Sequence, residues 1–300
     1  MEPALFAKIT FAALAALGFA STASAERAGA SEDIVAACGP RDGWSEPAPP
    51  AHVYGNTWYV GTCGITVVLI ETSAGLMLID AGPEDAAEHV LASVRMLGFD
   101  PRQIKWLMVT HEHFDHAGGI AAIQKVTGAR LAVGPFAKEA LRTGRSYPDD
   151  PQHDELKDRP MPASRVDRVL RNGGKLTLGG VTVTAHATPT HSRGSTSWTW
   201  QSCQDGKCLN IAFADSISTI SSGPYRFTEH PDRVAQARSG LKAIAALPCQ
   251  VLLTPHPQGS NLLPRLSGRA ALVDSKACQA YAAGGEQRLT ERLEKETAAK

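Results

Sequence analysis

What this chain of 300 residues lacks narrows it first. Net charge is missing: 30 Lys and Arg balance 30 Asp and Glu, so no basic field recruits nucleic acid or an anionic membrane. Long apolar runs are missing after residue 25, and crossing the hydrocarbon of a bilayer takes about 20 such residues. Cys-x-x-Cys spacing is missing too, although there are six Cys, which argues against a cysteine-built zinc site. No short-period repeat and no Gly- or Ser-rich linker is visible. With 43% hydrophobic and 20% charged residues, the composition is that of a globular fold with a sizeable core rather than a disordered chain. These exclusions leave a small molecule as the expected partner.

The first 25 residues form a separate segment. Lys8 precedes the apolar run 9–20, and Ala23-Ser24-Ala25 has small residues at both positions that specify signal cleavage. A run of about 12 apolar residues is too short to anchor in a membrane. We therefore expect cleavage after Ala25, leaving a periplasmic mature protein, 26–300, that folds as a single domain and no longer touches the membrane. Export favours disulfides. In Cys203-Gln204-Asp205-Gly206-Lys207-Cys208 the Asp-Gly pair suits a two-residue hairpin turn. That turn sets Cys203 opposite Cys208 as a close, non-hydrogen-bonded pair that a disulfide can span. For the other four, Cys38 with Cys63 and Cys249 with Cys278 is the simplest arrangement.

Strand patterns are expected at 53–60, 65–71 and 76–79, the last ending in Asp80-Ala81-Gly82-Pro83. Ala87, Val90, Leu91, Val94 and Leu97 recur at helical spacing, so 84–97 reads as a helix closed by Gly98. Further helices are predicted at 118–126 and 135–141, with a short strand at 130–133 between them. Residues 142–163 lack periodicity and are expected to be a long loop bordering a cleft. Strands follow at 165–170, 175–178, 181–188, 195–201 and 207–214, then a helix over 231–246, a strand at 250–254 and a mostly helical tail from 270. Two strand-then-helix halves without a linker suggest one α/β domain with two packed sheets flanked by helices.

The densest chemistry follows the apolar run Trp106-Leu107-Met108-Val109, where His111-Glu112-His113-Phe114-Asp115-His116 holds four metal-ligand residues besides Glu112. A single histidine is usually a surface or satisfied core residue, but this density at a strand end points to a metal site. Extended backbone turns His111 and His113 to the same side, where they can share an ion. Asp115 and His116, beyond the turn, can face a second. Imidazoles with one carboxylate favour zinc over manganese or iron, and two ions in a cleft imply hydrolysis. Two more histidines leave strand ends in the same manner: His191 after Ala187-Thr188-Pro189-Thr190, and His256 after Leu252-Leu253-Thr254-Pro255.

With these residues in place, the sequence from about Val53 to Pro257 resembles the metallo-β-lactamase superfamily. The resemblance rests on Asp80-Ala81-Gly82, the His111-x-His113-x-Asp115-His116 core, His191 followed by Gly194-Ser195, the Ala214-Asp215 strand end and His256. It implies the αβ/βα sandwich, with two mixed β-sheets flanked by helices. Within the superfamily the chain looks like the subclass B3 β-lactamases. On that likeness one Zn2+ would sit on His111, His113 and His191, and the other on Asp115, His116 and His256. Relatives with a Cys ligand after His191 have it where this chain has Ser216, which favours subclass B3. Ser192-Arg193-Gly194 stands where Thr-Pro-Gly is more usual.

The implied reaction is hydrolysis of the β-lactam amide by a hydroxide made at the metals, with Asp115 as a ligand that also orients the hydroxide and relays its proton. Ser216 and Ser218 would hold the substrate carboxylate and Gln152 would contact the bound drug, in a protein expected to act as a monomer. Asp80 is expected to support a ligating His. His52, His89, His153, His186 and His230 have no comparable placement. Two rivals stand beside this reading. A lactonase or glyoxalase-like thioesterase would bridge both metals with an Asp on the strand after His191, and Asp215 lies one residue before that position; a zinc-scavenging protein would keep the ligands without turnover.

Overall fold

The computed structural model describes residues 33–299; the expected signal peptide lies outside them. The first sheet has seven strands in chain order. β1 (Ala51–Tyr54) and β2 (Thr57–Tyr59) form a hairpin in which Ala51 faces Tyr59. The sequence pattern suggests one strand across 53–60, but Gly55, at φ 53°, turns the chain between them. β3 (Val68–Thr72) and β4 (Gly75–Ile79) continue antiparallel, then β5 (Ile104–Met108), β6 (Arg130–Val133) and β7 (Arg168–Val169) add in parallel. β7 keeps only two of the six residues expected at 165–170.

The second sheet contains β8 (Lys175–Leu178), β9 (Val181–Ala187), β10 (Thr196–Gln204), β11 (Lys207–Phe213) and β12 (Val251–Leu253). Its order is β12-β11-β10-β9-β8, and β12 alone pairs in parallel.

Strand alternation divides the core. Along β4, Met77 and Ile79 point between the sheets toward Trp198, Trp200, Ile211 and Phe213. Leu76 and Leu78 point outward to the helices Ala87–Met96 and Ile120–Thr127, against Val90, Val94, Ile120 and Ile123. Across the other sheet, Ala212 and Leu252 meet Leu241 and Ile244 of the helix Pro231–Ala245 and Ala282 of the helix Ala277–Ala298. The layers are helix, sheet, sheet, helix, as expected from sequence. Trp198 is fully buried and donates its indole N–H to the Val109 carbonyl at 3.0 Å, joining β10 to the exit of β5. Deleting such a ring from a core costs about 3–5 kcal/mol.

All three expected disulfides are present: Cys38–Cys63, Cys203–Cys208 and Cys249–Cys278. Cys203 and Cys208 face each other across the β10–β11 hairpin, as the Asp-Gly turn predicts. The stretch expected as a long loop differs from expectation in containing the end of the helix Lys138–Thr143 and the short helix His153–Leu156. Their few residues carry too little periodicity to register. The final helix begins at Ala277 rather than near 270, and Leu262–Leu266 adds an unexpected short one.

Candidate metal centre

The site is built where strands end. β4 stops at Asp80, whose φ of 65° puts a non-glycine residue in the left-handed region. The turn aims a fully buried carboxylate beneath the next strand. Asp80 Oδ1 accepts the Thr110 N–H at 2.6 Å, and Oδ2 accepts the Thr110 hydroxyl at 2.8 Å. Beyond β5 the chain stays extended through His111 and His113, then winds into the short helix Phe114–Ala117, which carries Asp115 and His116. His191 comes from the β9–β10 connection, Ser216 and Ser218 from the chain after β11, and His256 from the chain after β12.

Metal-ligating atoms of His111, His113 and His191 all lie within 4.8 Å of one another. His113 Nδ1 and His191 Nε2 are 3.1 Å apart. The opposite nitrogens are occupied, which orients each ring. His111 Nδ1 meets Asp215 Oδ1 at 2.9 Å, His113 Nε2 meets Asp150 Oδ2 at 3.0 Å, and His191 Nδ1 faces the Ser218 carbonyl at 2.8 Å. Arg233 grips the approach to His191, donating to the carbonyls of Pro189 and Thr190 at 2.8 and 2.7 Å.

Asp115 centres a second set. Its Oδ2 is 3.1 Å from His116 Nε2 and 3.5 Å from His256 Nε2. Asp115 and His116 also share a 4.8 Å cluster with His111, which stands between the two sets. His116 Nδ1 lies 3.3 Å from Asp80 Oδ2, so Asp80 supports this ring as expected. Neither ring nitrogen of His116 makes an aligned hydrogen bond, although both are buried. An orphaned buried nitrogen among carboxylates and imidazoles is what a metal ligand looks like without its ion. These donor sets fit metal-ion binding.

Electrostatics separate the rings. Burial holds His111 well below the ordinary imidazole range, helped by His116 and His113 nearby, and holds His191 well below it as well. Burial also opposes charge on His116, but the carboxylates of Asp115 and Asp80 outweigh it and push the ring up to about 10. His256 is lowered to about 4 by burial and by His116. For Asp150, burial works toward a higher value, yet its bond to His113 wins and brings the carboxyl down to about 2.

All six expected ligands thus converge. Gln152 is also close, but at the imidazoles themselves: its Nε2 is 3.3 Å from His191 Nε2 and 3.5 Å from His113 Nδ1. Ser216 and Ser218 hydroxyls sit 2.9 Å apart, and Ser218 Oγ is 2.9 Å from His191 Nδ1. Sequence reasoning missed Asp150 and Arg233, for which a lone Asp in a polar loop and a lone Arg at a helix start offer no signal. Asp215, one residue before the position of the rival's bridging ligand, holds His111 from behind. A cavity of about 660 Å³ lies beside the site, walled by Trp44, Phe114, Arg159 and Met161. The Trp44 ring stands 5.7 Å from those of Phe114 and His256.

Two mixed sheets between helices, with a histidine-rich cleft at the strand ends, define a metal-dependent hydrolase of the two-sheet sandwich class. The family model described as the metallo-β-lactamase superfamily matches residues 60–205. The metallo-β-lactamase MIM-1 from Novosphingobium pentaromativorans is 50% identical, with 89% of this chain and 98% of that one covered and a TM-score of 0.87. MEM-A1, a subclass B3 metallo-β-lactamase from a soil metagenome library, is 35% identical over 86% of this chain and 100% of its own, with a TM-score of 0.82. A hydroxyacylglutathione hydrolase of Anaeromyxobacter dehalogenans is 29% identical over 204 residues, and the match spans 68% of this chain but only 64% of that protein's length. The chain belongs to the metallo-β-lactamase superfamily and is similar to subclass B3 enzymes within it.

Proposed function

We propose that this protein is a zinc β-lactamase of the subclass B3 type, hydrolysing the amide of the four-membered lactam ring. The observation that carries this reading is the convergence of His191 and His256, from two separate strand exits, on the cluster at His111–His116. Likeness to MIM-1 along nearly the full length of both chains supports it. His111, His113 and His191 would hold one Zn2+, and Asp115, His116 and His256 the other. Bound there, the ions supply Lewis acidity and bring the pKa of water toward neutrality.

The chain's own groups do the rest. Asp115 meets His116 and His256 through Oδ2, and its Oδ1 is the atom we assign to hold and pass on the proton of the attacking water. Water's oxygen joins the carbonyl carbon, the ring C–N bond breaks, and the ring nitrogen takes that proton, leaving an amino acid product. Ser216 and Ser218 would donate to the substrate carboxylate, with the Gln152 amide at the mouth of the three-histidine set. Trp44 and Phe114 offer an apolar wall to the ring substituents.

The likeness to hydroxyacylglutathione hydrolase supports a second reading, a thioesterase. Against it, Asp215 Oδ1 is engaged with His111 Nδ1. Incubating the purified protein with a carbapenem, a cephalosporin and an acylglutathione thioester separates the two. We expect loss of lactam absorbance, abolished by chelator and restored by zinc; thioester turnover with inert lactams would overturn the assignment. We further infer an exported, periplasmic monomer. Pairing of all six cysteines supports export, and among the described residues no helix is long and apolar enough to cross a membrane.

A further inference from the structure

Glu112 lies between two of the histidines yet belongs to neither set. Alternation along extended backbone turns its side chain away from theirs, and the residue is 4% exposed. Its carboxylate crosses to the loop that carries His191. Oε2 accepts the Ser192 hydroxyl at 2.9 Å, and Oε1 accepts the Gly194 N–H at 3.2 Å. A Cβ at residue 194 would stand 2.1 Å from Oε2, so glycine there is a condition of the contact. Ser192 is itself fixed, its N–H donating to Ser195 Oγ at 3.0 Å.

We propose that Glu112 is a positioning residue for the three-histidine set, bracing the segment Ser192–Gly194 so that His191 meets His111 and His113. Arg233 holds the chain before His191 and Glu112 holds the chain after it. Only from both sides is the imidazole set at the distance that two histidines on another segment require. The brace reaches no residue of the Asp115, His116, His256 set, so its effect is confined to one ion. This inference rests on reading the two clusters as metal sites.

The test compares zinc affinity at each site, by competition with a chromophoric chelator, in wild type, Glu112→Ala, Glu112→Gln and Ser192→Ala. Glu112→Ala should weaken the three-histidine site about 10–100-fold, the usual range for a group that orients a ligand, and leave the other site unchanged. Glu112→Gln should stay close to wild type, because its amide oxygen can accept from Gly194 while its NH2 donates to the Ser192 hydroxyl. Ser192→Ala should fall between them, and it decides the matter if Glu112→Ala does not fold. Wild-type affinities in Glu112→Ala, equal weakening of both sites, or a Gln variant as weak as the Ala variant would each overturn the brace. Wild-type protein that binds no zinc would instead overturn the metal reading on which the brace depends.

Discussion

The two ligand sets differ in how firmly the protein holds them before any ion arrives. His111, His113 and His191 are all buried, and each has its second nitrogen occupied, by Asp215, Asp150 and Ser218. In the other set, His116 leans on Asp80, while the His256 side chain is 36% exposed and rests on the Gly64 carbonyl at 3.1 Å. One set is a finished cage and the other opens on one side. On the proposed function, the first would bind its ion more firmly and the second would leave room for substrate.

Metal removal should have the largest effect. Hydrolysis of a carbapenem, followed by absorbance, should vanish with the metal and return with zinc; activity surviving in verified metal-free protein would show that neither ligand set serves catalysis. Next in size, Asp115→Ala should lower kcat about 10²–10⁴-fold, the range for losing a positioned proton-transfer group. Steady-state rates at saturating zinc check this, and an unchanged kcat would remove Asp115 from proton relay. Asp150→Ala removes one support from the closed set alone. Zinc affinity there should drop about 10–100-fold, with the open set unaffected, as read by chelator competition. The smallest effect is expected at the rim: Ser216→Ala should raise KM roughly tenfold at constant kcat, about 1.5 kcal/mol for one hydrogen bond to a charge. A fall in kcat without a change in KM would show Ser216 acting elsewhere.

Much of the site was legible because ligands were delivered by strand exits, and strand exits can be recognised from apolar runs that end in turn residues. His191 and His256 were found that way, as was the Cys203–Cys208 bridge from its Asp-Gly turn. The layered fold followed from the order of elements together with family likeness. What escaped were contacts to distant partners that no strand exit or turn announces. Asp150 is 37 residues from His113, and Asp215 is 104 from His111. Glu112 was visible inside the motif, but its contact to Gly194 depends on how two loops fold over each other. The closeness of Gln152 to the imidazoles depends on the short helix it precedes, which the sequence does not announce. The β1–β2 turn was missed because apolar residues flank it so closely that Gly55 reads as an interruption of a single strand.

The disulfides carry a consequence for the open set. Cys63 immediately precedes Gly64, whose carbonyl seats His256, and is tied to Cys38. Cys249 lies just before β12, whose exit delivers His256, with Gln250 between, and is tied to Cys278 on the terminal helix. Two covalent staples therefore stand behind a single imidazole, the one least supported by packing. On the proposed function, maturation becomes a matter of redox surroundings as well as metal supply: chain kept reduced would complete its sheltered cage while the more open half stays slack.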